Sequence, residues 1–228
     1  MEILLEPTSN KLTVDPHGFE GYLGEGVGRP LKVSNLRELC RAHRPNVVFL
    51  MEMKNKERYL ESLRRSLPFT GFFYVNPIGR LGGLALWWKD SITLNNANGN
   101  KNIILVDGIC LAPFVSWRAC FIYGPHNRRD RKLLWQKISH FALSATCPFF
   151  VIGDFNLIVV VADKHGGSSN TSSQIKEFQS LLSALELFEL PFKGLNYTWD
   201  NNRAENANIW GRIHRSLANE TLLVTFPI

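Results

Sequence analysis

The stretch P-F-F-V-I-G-D-F-N-L-I-V-V-V at 148–161 constrains the fold of this chain more than any other. Residues 149–152 are wholly apolar, which is typical of a short strand buried on both faces. Asp154 and Asn156 follow two residues apart, so on an extended chain they point to the same face. Open α/β sheets place their sites at the carboxyl ends of such strands. The stretch therefore predicts a buried strand that carries a polar pair to the edge of a sheet.

Two other apolar segments end in the same way. Residues 47–51 are followed by Glu52, and residues 117–123 end at Tyr123. Each polar residue could simply begin a loop and face water. Together, however, Glu, Asp, Asn and Tyr side chains can hold a hard divalent cation, activate a water and hydrogen-bond a phosphoryl oxygen. Because no Ser or Cys with a positioned His is evident, we interpret the set as favouring phosphodiester hydrolysis over acyl transfer.

Helical and strand patterns alternate along the rest of the chain. Apolar residues at helical spacing predict helices over 31–43, 56–67, 128–142 and 174–185. Apolar runs predict strands over 47–51, 72–75, 83–88, 92–94, 101–106, 117–123 and 149–152, with strand-edge material at 196–200 and 209–213. This order predicts an α/β (α+β) fold in which helices cover sheets. Residues 1–20 contain Pro7, Pro16 and Gly18 and have no clear period, so they are predicted as a loose leader before a domain over 21–228.

Net charge and cysteine content indicate the kind of partner and the cellular location to expect for the protein. Lys and Arg number 26 against 20 Asp and Glu, and the resulting charge of +6 mildly favours an acidic partner such as nucleic acid. The four cysteines form no C-x-x-C pair, which is typical of reduced intracellular thiols. No basic segment precedes the apolar residues at the N-terminus, and no run of roughly 18 apolar residues occurs. We therefore expect an intracellular protein, nuclear or cytoplasmic, that is not secreted.

Seven motifs then occur in a fixed order. They are F-L-M-E-M-K at 49–54, G-G-L-A-L-W-W-K at 82–89, I-Y-G-P at 122–125, V-I-G-D-F-N at 151–156, D-K-H-G-G at 163–167, Y-T-W-D-N-N-R at 197–203 and I-W-G-R-I-H-R-S-L-A-N at 209–219. This set resembles the endonuclease/exonuclease/phosphatase superfamily, which has the DNase I-like fold. More narrowly, it resembles the endonuclease domain of plant LINE-type non-LTR retrotransposons. The resemblance covers about 21–228 and implies a four-layer sandwich of two packed β-sheets flanked by helices, with Mg²⁺-dependent cleavage of DNA.

The resemblance also implies roles for single residues. By motif position, Glu52 resembles the metal-binding glutamate and Asp154 the aspartate that activates the water. Asn156 resembles the asparagine that holds the phosphate, and Tyr123 resembles the phosphate-contacting tyrosine. On this reading the polar pair lies at the sheet rim, where it faces a metal-bound phosphate.

Three further residues are candidates for contact with DNA. Arg128 and Arg129 belong to the basic segment H-N-R-R-D-R-K at 126–132, which either contacts phosphates beside the cleft or forms a solvated helix face. Both alternatives remain open from the sequence. The resemblance implies that Trp199, in the Y-T-W-D motif, lies near the rim of the site.

The chain also departs from the pattern that it resembles. Leu23 stands where the family has an asparagine that binds metal and phosphate, and a leucine can do neither; Glu25, two residues on, could partly substitute. His214 stands where the family reads R-L-D-R, and no S-D-H motif occurs before Ile228. The sequence is therefore interpreted as a degenerate domain without its last strands and with lost or impaired activity. Alternatives are a non-catalytic nucleic-acid-binding module, a non-functional retroelement remnant, or a phosphatase or phosphodiesterase of small substrates.

Overall fold

A computed structural model describes residues 3–5, 12–13, 30–79, 82–143, 146–167, 172–194, 196–204 and 207–226. Within these residues lie five α-helices and fifteen strands. The helices are α1 (Pro30–His43), α2 (Glu57–Arg64), α3 (Arg128–Leu143), α4 (Ser172–Ala184) and α5 (Glu220–Thr225). The strands are β1 (Ile3–Leu5), β2 (Leu12–Thr13), β3 (Val47–Leu50), β4 (Gly71–Val75), β5 (Leu84–Trp88), β6 (Ile92–Asn100), β7 (Ile103–Leu111), β8 (Phe114–Tyr123), β9 (Phe149–Asp154), β10 (Lys164–His165), β11 (Phe188–Glu189), β12 (Lys193–Gly194), β13 (Trp199–Asp200), β14 (Trp210–Gly211) and β15 (His214–Ala218).

Most strands belong to two sheets. The first sheet has the order β1-β3-β5-β4, in which β1 runs parallel to β3 and the other neighbours are antiparallel. The second has the order β11-β15-β9-β8-β7-β6 and is antiparallel except where β8 meets β9. A small sheet joins β10, β14 and β13, and β2 pairs with β12. The long connection through α3 is therefore the one that joins the parallel strands β8 and β9, as such a crossover requires.

Strand alternation divides the apolar side chains of each sheet between two layers. In β3, Phe49 joins the cluster between the two sheets, whereas Val48 packs in the cluster on the outer face. Phe121 of the second sheet meets Phe49 with ring centroids 5.3 Å apart and Phe150 with centroids 6.0 Å apart. The central core is therefore built from the facing side chains of both sheets, as in other face-to-face sheet packings.

Helices cover the outer faces of both sheets. Leu36 of α1 and Leu60 of α2 pack in one cluster with Trp87 of the first sheet. Leu134 of α3 and Phe178 of α4 pack in another cluster with the outer side chains of β8 and β9. The result is a four-layer sandwich of two β-sheets flanked by helices, which confirms the fold class expected from the sequence.

Two features of the sequence interpretation change. The segment 1–20, predicted as a loose leader, contains β1 and β2. Strand β1 pairs in parallel with β3, and β2 pairs with β12. Strand β15 was not predicted, because its residues His214, Arg215 and Ser216 read as polar. All three are nevertheless buried, and Arg215 is neutralised by ion pairs with Asp163 and Glu189. Because these polar residues are buried through ion pairs, a search for apolar runs in the sequence cannot predict this strand.

No helix among the described residues is long and apolar enough to cross a membrane. All four cysteines are free thiols, and three of them are buried. Burial raises the pKa of the Cys120 thiol well above its usual value, so this sulfur is held as an unreactive thiol. The cysteines are therefore unpaired, as the sequence predicts, and Cys40, Cys110 and Cys120 lie in the core.

Candidate active site

The parallel pair β8 and β9 brings two of the predicted side chains to one edge of the second sheet. Tyr123 and Asp154 are register partners at the carboxyl ends of these strands. On the other side of β9, His214 is the antiparallel register partner of Asp154. Asp154 therefore lies between Tyr123 and His214 at the rim of the sheet. Its side chain is buried, with 6% of its surface exposed.

Glu52 reaches the same place from the first sheet. The Tyr123 hydroxyl donates a hydrogen bond to the Glu52 carboxylate, so the ends of β3 and β8 meet across the sandwich. Glu52 lies in the left-handed region with φ 52°, which turns the chain away from the strand. The turn is fixed by two backbone bonds between Met53 and Gly83, of 2.9 and 3.2 Å. A Cβ on Gly83 would lie 2.4 Å from the Met53 carbonyl oxygen, so only glycine fits there.

Asp154 and Asn156 are linked by a local turn. The backbone N–H of Asn156 donates to Asp154 Oδ1 at 2.7 Å, and the side-chain Nδ2 of Asn156 donates to the Gly124 carbonyl. Asn156 has φ 49°, in the left-handed region that asparagine tolerates better than most residues. The expectation that an extended chain aligns the pair is therefore wrong. A side-chain-to-backbone turn after β9 sets their geometry instead.

His214 is buried beside Asp154, with Nε2 3.8 Å from Asp154 Oδ2. Its Nδ1 lies 3.1 Å from the Thr198 carbonyl oxygen, and the Thr198 hydroxyl accepts hydrogen bonds from the backbone N–H groups of Ile213 and His214. Burial lowers the pKa of His214 to about 3. The imidazole is therefore neutral at pH 7, and its approach to Asp154 is not an ion pair at that pH.

Two supporting groups were not identified from the sequence. Asn102 donates from Nδ2 to the Tyr123 carbonyl at 2.8 Å and accepts the Tyr123 N–H at its own carbonyl at 2.9 Å. Thr198 orients His214 as described above. Both act mainly through backbone hydrogen bonds, for which residue type carries little signal. Only the position of Thr198 inside the Y-T-W-D motif could have indicated it.

A cavity of about 170 Å³ adjoins the site. Its wall includes Asn156, Lys164, Trp199, Trp210 and Ile213. Trp199 is 36% exposed, so part of its ring surface is open to a ligand. The structure therefore places Trp199 at the rim, in the same cavity wall as Asn156.

The arginines of the basic segment 126–132 differ in their surroundings. Arg128 forms an ion pair with Glu177 of α4. Arg131 is buried and donates to the Pro125 carbonyl at 3.0 Å. These two guanidinium groups are therefore bound within the protein, whereas no ion pair of Arg129 is found among the described residues and its side chain is exposed. Arg129 is therefore the better candidate of the two predicted arginines for a contact with phosphate.

The donors at this edge fit a hard divalent cation. Glu52 and Asp154 supply carboxylate oxygens from two different sheets. Across the part of the chain that the structure describes, no three His, Cys, Asp or Glu side chains group closely enough to hold a metal on their own. Mg²⁺ commonly binds through one or two carboxylates and keeps water or phosphate oxygens for its other positions. Leu23 and Glu25 lie outside the described residues.

Comparisons with known proteins agree with this architecture. A model of the Endonuclease/Exonuclease/phosphatase family matches residues 18–214. Similar solved structures include the endonuclease domain of TRAS1, a telomere-specific non-LTR retrotransposon, with 14% identity over 86% of this chain and 83% of that chain and a TM-score of 0.58. An AP endonuclease from Archaeoglobus fulgidus has 11% identity over 82% and 81%, with a TM-score of 0.63. The 3′ phosphatase NExo from Neisseria, bound to a product DNA hairpin, has 15% identity over 86% and 84%, with a TM-score of 0.61. A search of curated proteins gives no match.

Proposed function

The chain belongs to the endonuclease/exonuclease/phosphatase family, and we propose that it is a Mg²⁺-dependent DNA endonuclease of retrotransposon type with impaired activity. One observation carries the proposal. The Tyr123 hydroxyl bonds to Glu52 of one sheet while Tyr123 is the register partner of Asp154 in the other. Three groups suited to phosphodiester hydrolysis thus meet at one edge.

Each residue has a chemical role in this proposal. Glu52 would hold Mg²⁺, which supplies neutralisation of the negative phosphoryl oxygens when it is bound. Asp154 takes the proton from the attacking water. Asn156 donates a hydrogen bond to the phosphate, where negative charge increases in the transition state. The single O–H of Tyr123 is donated to Glu52 here, so Tyr123 donates to the phosphate only once Mg²⁺ replaces that bond at Glu52. One N–H of the Asn156 amide is used by the Gly124 carbonyl, and the amide has a second N–H for a phosphate oxygen.

Impairment follows from two substitutions. An aspartate at position 214 would place a negative charge beside the catalytic groups, whereas His214 is neutral at pH 7. Leu23 offers neither a metal ligand nor a hydrogen-bond donor. Since groups that orient and charge-stabilise catalytic residues contribute orders of magnitude to rates, we expect slow cleavage or none.

DNA is the partner that the rim favours. Trp199 presents a partly open indole ring, and Arg129 is exposed at the start of α3. Aromatic rings and arginines are common contacts for bases and phosphates. The similar NExo structure is bound to a DNA hairpin. These features support DNA as the substrate here.

A plasmid-nicking assay tests the proposal. Supercoiled DNA would be incubated with Mg²⁺ and protein that melts cooperatively, beside the variant Asp154→Ala. The matched control is Asp90→Ala, which removes an exposed carboxylate at the opposite end of the first sheet. We expect slow nicking by the wild type and the control and none by Asp154→Ala. Equal nicking by Asp154→Ala would overturn the assignment of the site.

A non-catalytic DNA-binding module is the second candidate, and the neutral His214 beside Asp154 favours it. This candidate predicts DNA binding without Mg²⁺ that weakens as salt concentration rises. Arg129→Ala should weaken binding, while Arg128→Ala should have less effect because Arg128 is paired with Glu177. A folded wild type that binds DNA in this way but never nicks it would support this candidate over the endonuclease.

A further inference from the structure

A second group of basic side chains lies at the end of the sandwich opposite the candidate active site. Arg44 comes just before β3 and Lys89 just after β5, and these two strands are antiparallel neighbours. Glu52 comes after the other end of β3. At about 3.3 Å per residue, the chain from the start of β3 to Glu52 spans roughly 16 Å. These basic side chains therefore belong to a surface separate from the catalytic edge.

The basic side chains surround a cavity of about 500 Å³. The residues that line it in the described part of the chain are Cys40, Arg41, Arg44, Ser66, Leu67, Pro68 and Lys89. This wall contains three cations and no carboxylate. Glu38 and Asp90, which are close to the cations along the chain, do not line the cavity. The cavity therefore has a positive potential that attracts anions.

Helix α1 presents its arginines to this cavity in a row. Arg37 and Arg41 are four residues apart and share one face of the helix, and Arg44 follows the helix end with φ 48°. Arg37 Nη2 donates to Ser66 Oγ at 3.1 Å, which brings the row against the segment after α2. Like charges at such spacing destabilise a helix, so stability of the fold does not explain the row.

Two of these cations are held by the protein and two are open to a ligand. Arg37 donates to Ser66, and Lys89 Nζ donates to the Arg44 carbonyl at 2.7 Å. The side chains of Arg41 and Arg44 are exposed, and neither forms an ion pair with a carboxylate among the described residues. Arg41 and Arg44 are therefore placed to bind an anion from solution.

We propose that this distal basic surface (Arg37, Arg41, Arg44 and Lys89) binds the phosphate backbone of a second segment of double-stranded DNA. The planar fork of a guanidinium group matches two oxygens of a phosphate. The cavity wall has no aromatic ring on which unpaired bases could stack, and no exposed large apolar side chain that could anchor a peptide. Binding through phosphates alone is independent of base sequence.

This inference rests on the proposed function in taking DNA as the partner, but it uses none of the residues assigned to cleavage. A protein that holds one DNA segment at the catalytic edge and another at the distal basic surface bridges two segments. The number of short duplexes bound per protein therefore distinguishes one surface from two.

Duplex binding without Mg²⁺ tests the inference. A duplex about one helical turn long would be titrated at low salt, where phosphate contacts bind most tightly, and the number bound would be measured by native mass spectrometry. The double variant Arg41→Gln/Arg44→Gln should bind one duplex fewer than the wild type. The lost binding should weaken with salt with a slope of about −2 in log K against log salt concentration, since each phosphate contact contributes about −0.9.

The matched control is Lys137→Gln/Lys176→Gln, which removes the same charge from exposed positions on α3 and α4. This control should bind as many duplexes as the wild type. An equal loss in the control would show an effect of net charge alone and overturn the inference. So would an unchanged number of duplexes on the folded Arg41→Gln/Arg44→Gln variant.

Modification of arginines by phenylglyoxal gives a second test on the wild type, which does not depend on folding of the variant. Peptide mass spectrometry should show that the duplex protects Arg41 and Arg44. No protection at saturating duplex would exclude DNA as the partner, and protection by polyglutamate instead would indicate an acidic protein. Because neither test involves Mg²⁺ or hydrolysis, failure of the nicking assay leaves this protection unchanged.

Discussion

Asp163→Asn should destabilise the protein by about 3 kcal/mol, because it removes one charge from a buried ion-pair network. The Asp163 carboxylate is paired with Arg215, whose side chain is 1% exposed. It also accepts the backbone N–H groups of Val159 and Val160 at 2.8 and 2.9 Å. Asparagine has nearly the same size and keeps one acceptor oxygen, so the substitution isolates the loss of charge.

The magnitude follows from what remains around Arg215. Breaking a buried ion pair by removing one partner costs about 3–5 kcal/mol. Glu189 would still contact Arg215 Nη1 with both carboxylate oxygens, at 2.7 and 2.6 Å, which favours the lower end of that range. For a domain of this size, such a loss lowers Tm by roughly 6–12 °C, since 1 kcal/mol corresponds to about 2–4 °C.

Urea unfolding at pH 7 measures the change. The free energy of unfolding should fall while the m-value stays constant, because the surface exposed on unfolding is unaltered. The matched control is Glu177→Gln, which neutralises an exposed carboxylate paired with Arg128 and should cause no measurable change. A double-mutant cycle with Arg215→Met should show coupling between the two sites. A free energy for Asp163→Asn within about 0.5 kcal/mol of wild type would refute the reasoning.

Three other substitutions give separate tests. Tyr123→Phe removes the hydroxyl that bonds to Glu52 and should lower any Mg²⁺-dependent nicking by about 10²-fold at unchanged Tm; equal nicking would exclude a role for the hydroxyl. Gly83→Ala should destabilise the protein by about 1–3 kcal/mol in urea unfolding, since its Cβ would meet a backbone carbonyl at 2.4 Å. Hydrogen bonding to Arg64 lowers the pKa of Glu61 from 4.5 to about 2, so stability should fall as pH drops from about 4.5 towards 2. Glu61→Gln should flatten this dependence in thermal melts at a series of pH values, and an unchanged slope would contradict it.

Much of the site could be predicted because it lies at the ends of short apolar strands. Glu52, Tyr123 and Asp154 each follow or end such a run, and an apolar run with a polar end is visible in the sequence alone. The structure brings Glu52 and Tyr123 into contact and makes Tyr123 the neighbour of Asp154. Their catalytic roles rest on family resemblance and stay predictions.

The parts that could not be predicted depend on contacts between distant segments. Strand β15 is buried through ion pairs of Arg215 with residues 26 and 52 positions away, which no local pattern reveals. The geometry of Asn156 depends on a left-handed turn and a bond to Gly124. The supporting role of Asn102 consists of two hydrogen bonds with the Tyr123 backbone. Such hydrogen bonds are made to main-chain atoms of another residue, which every residue type has, so they cannot be predicted from the identity of that residue.

The position of the site follows from sheet topology. In an antiparallel pair the carboxyl end of one strand meets the amino end of its neighbour, so two strand-end side chains rarely lie together. In the six-stranded sheet as the structure describes it, β8 and β9 are the parallel pair, and Tyr123 and Asp154 leave the sheet side by side. His214 is the first residue of the antiparallel β15, so its backbone register places it opposite Asp154. A change at position 214 therefore acts directly on the carboxylate that would activate water, whereas a change at Glu52 acts across the sandwich through the Tyr123 hydroxyl.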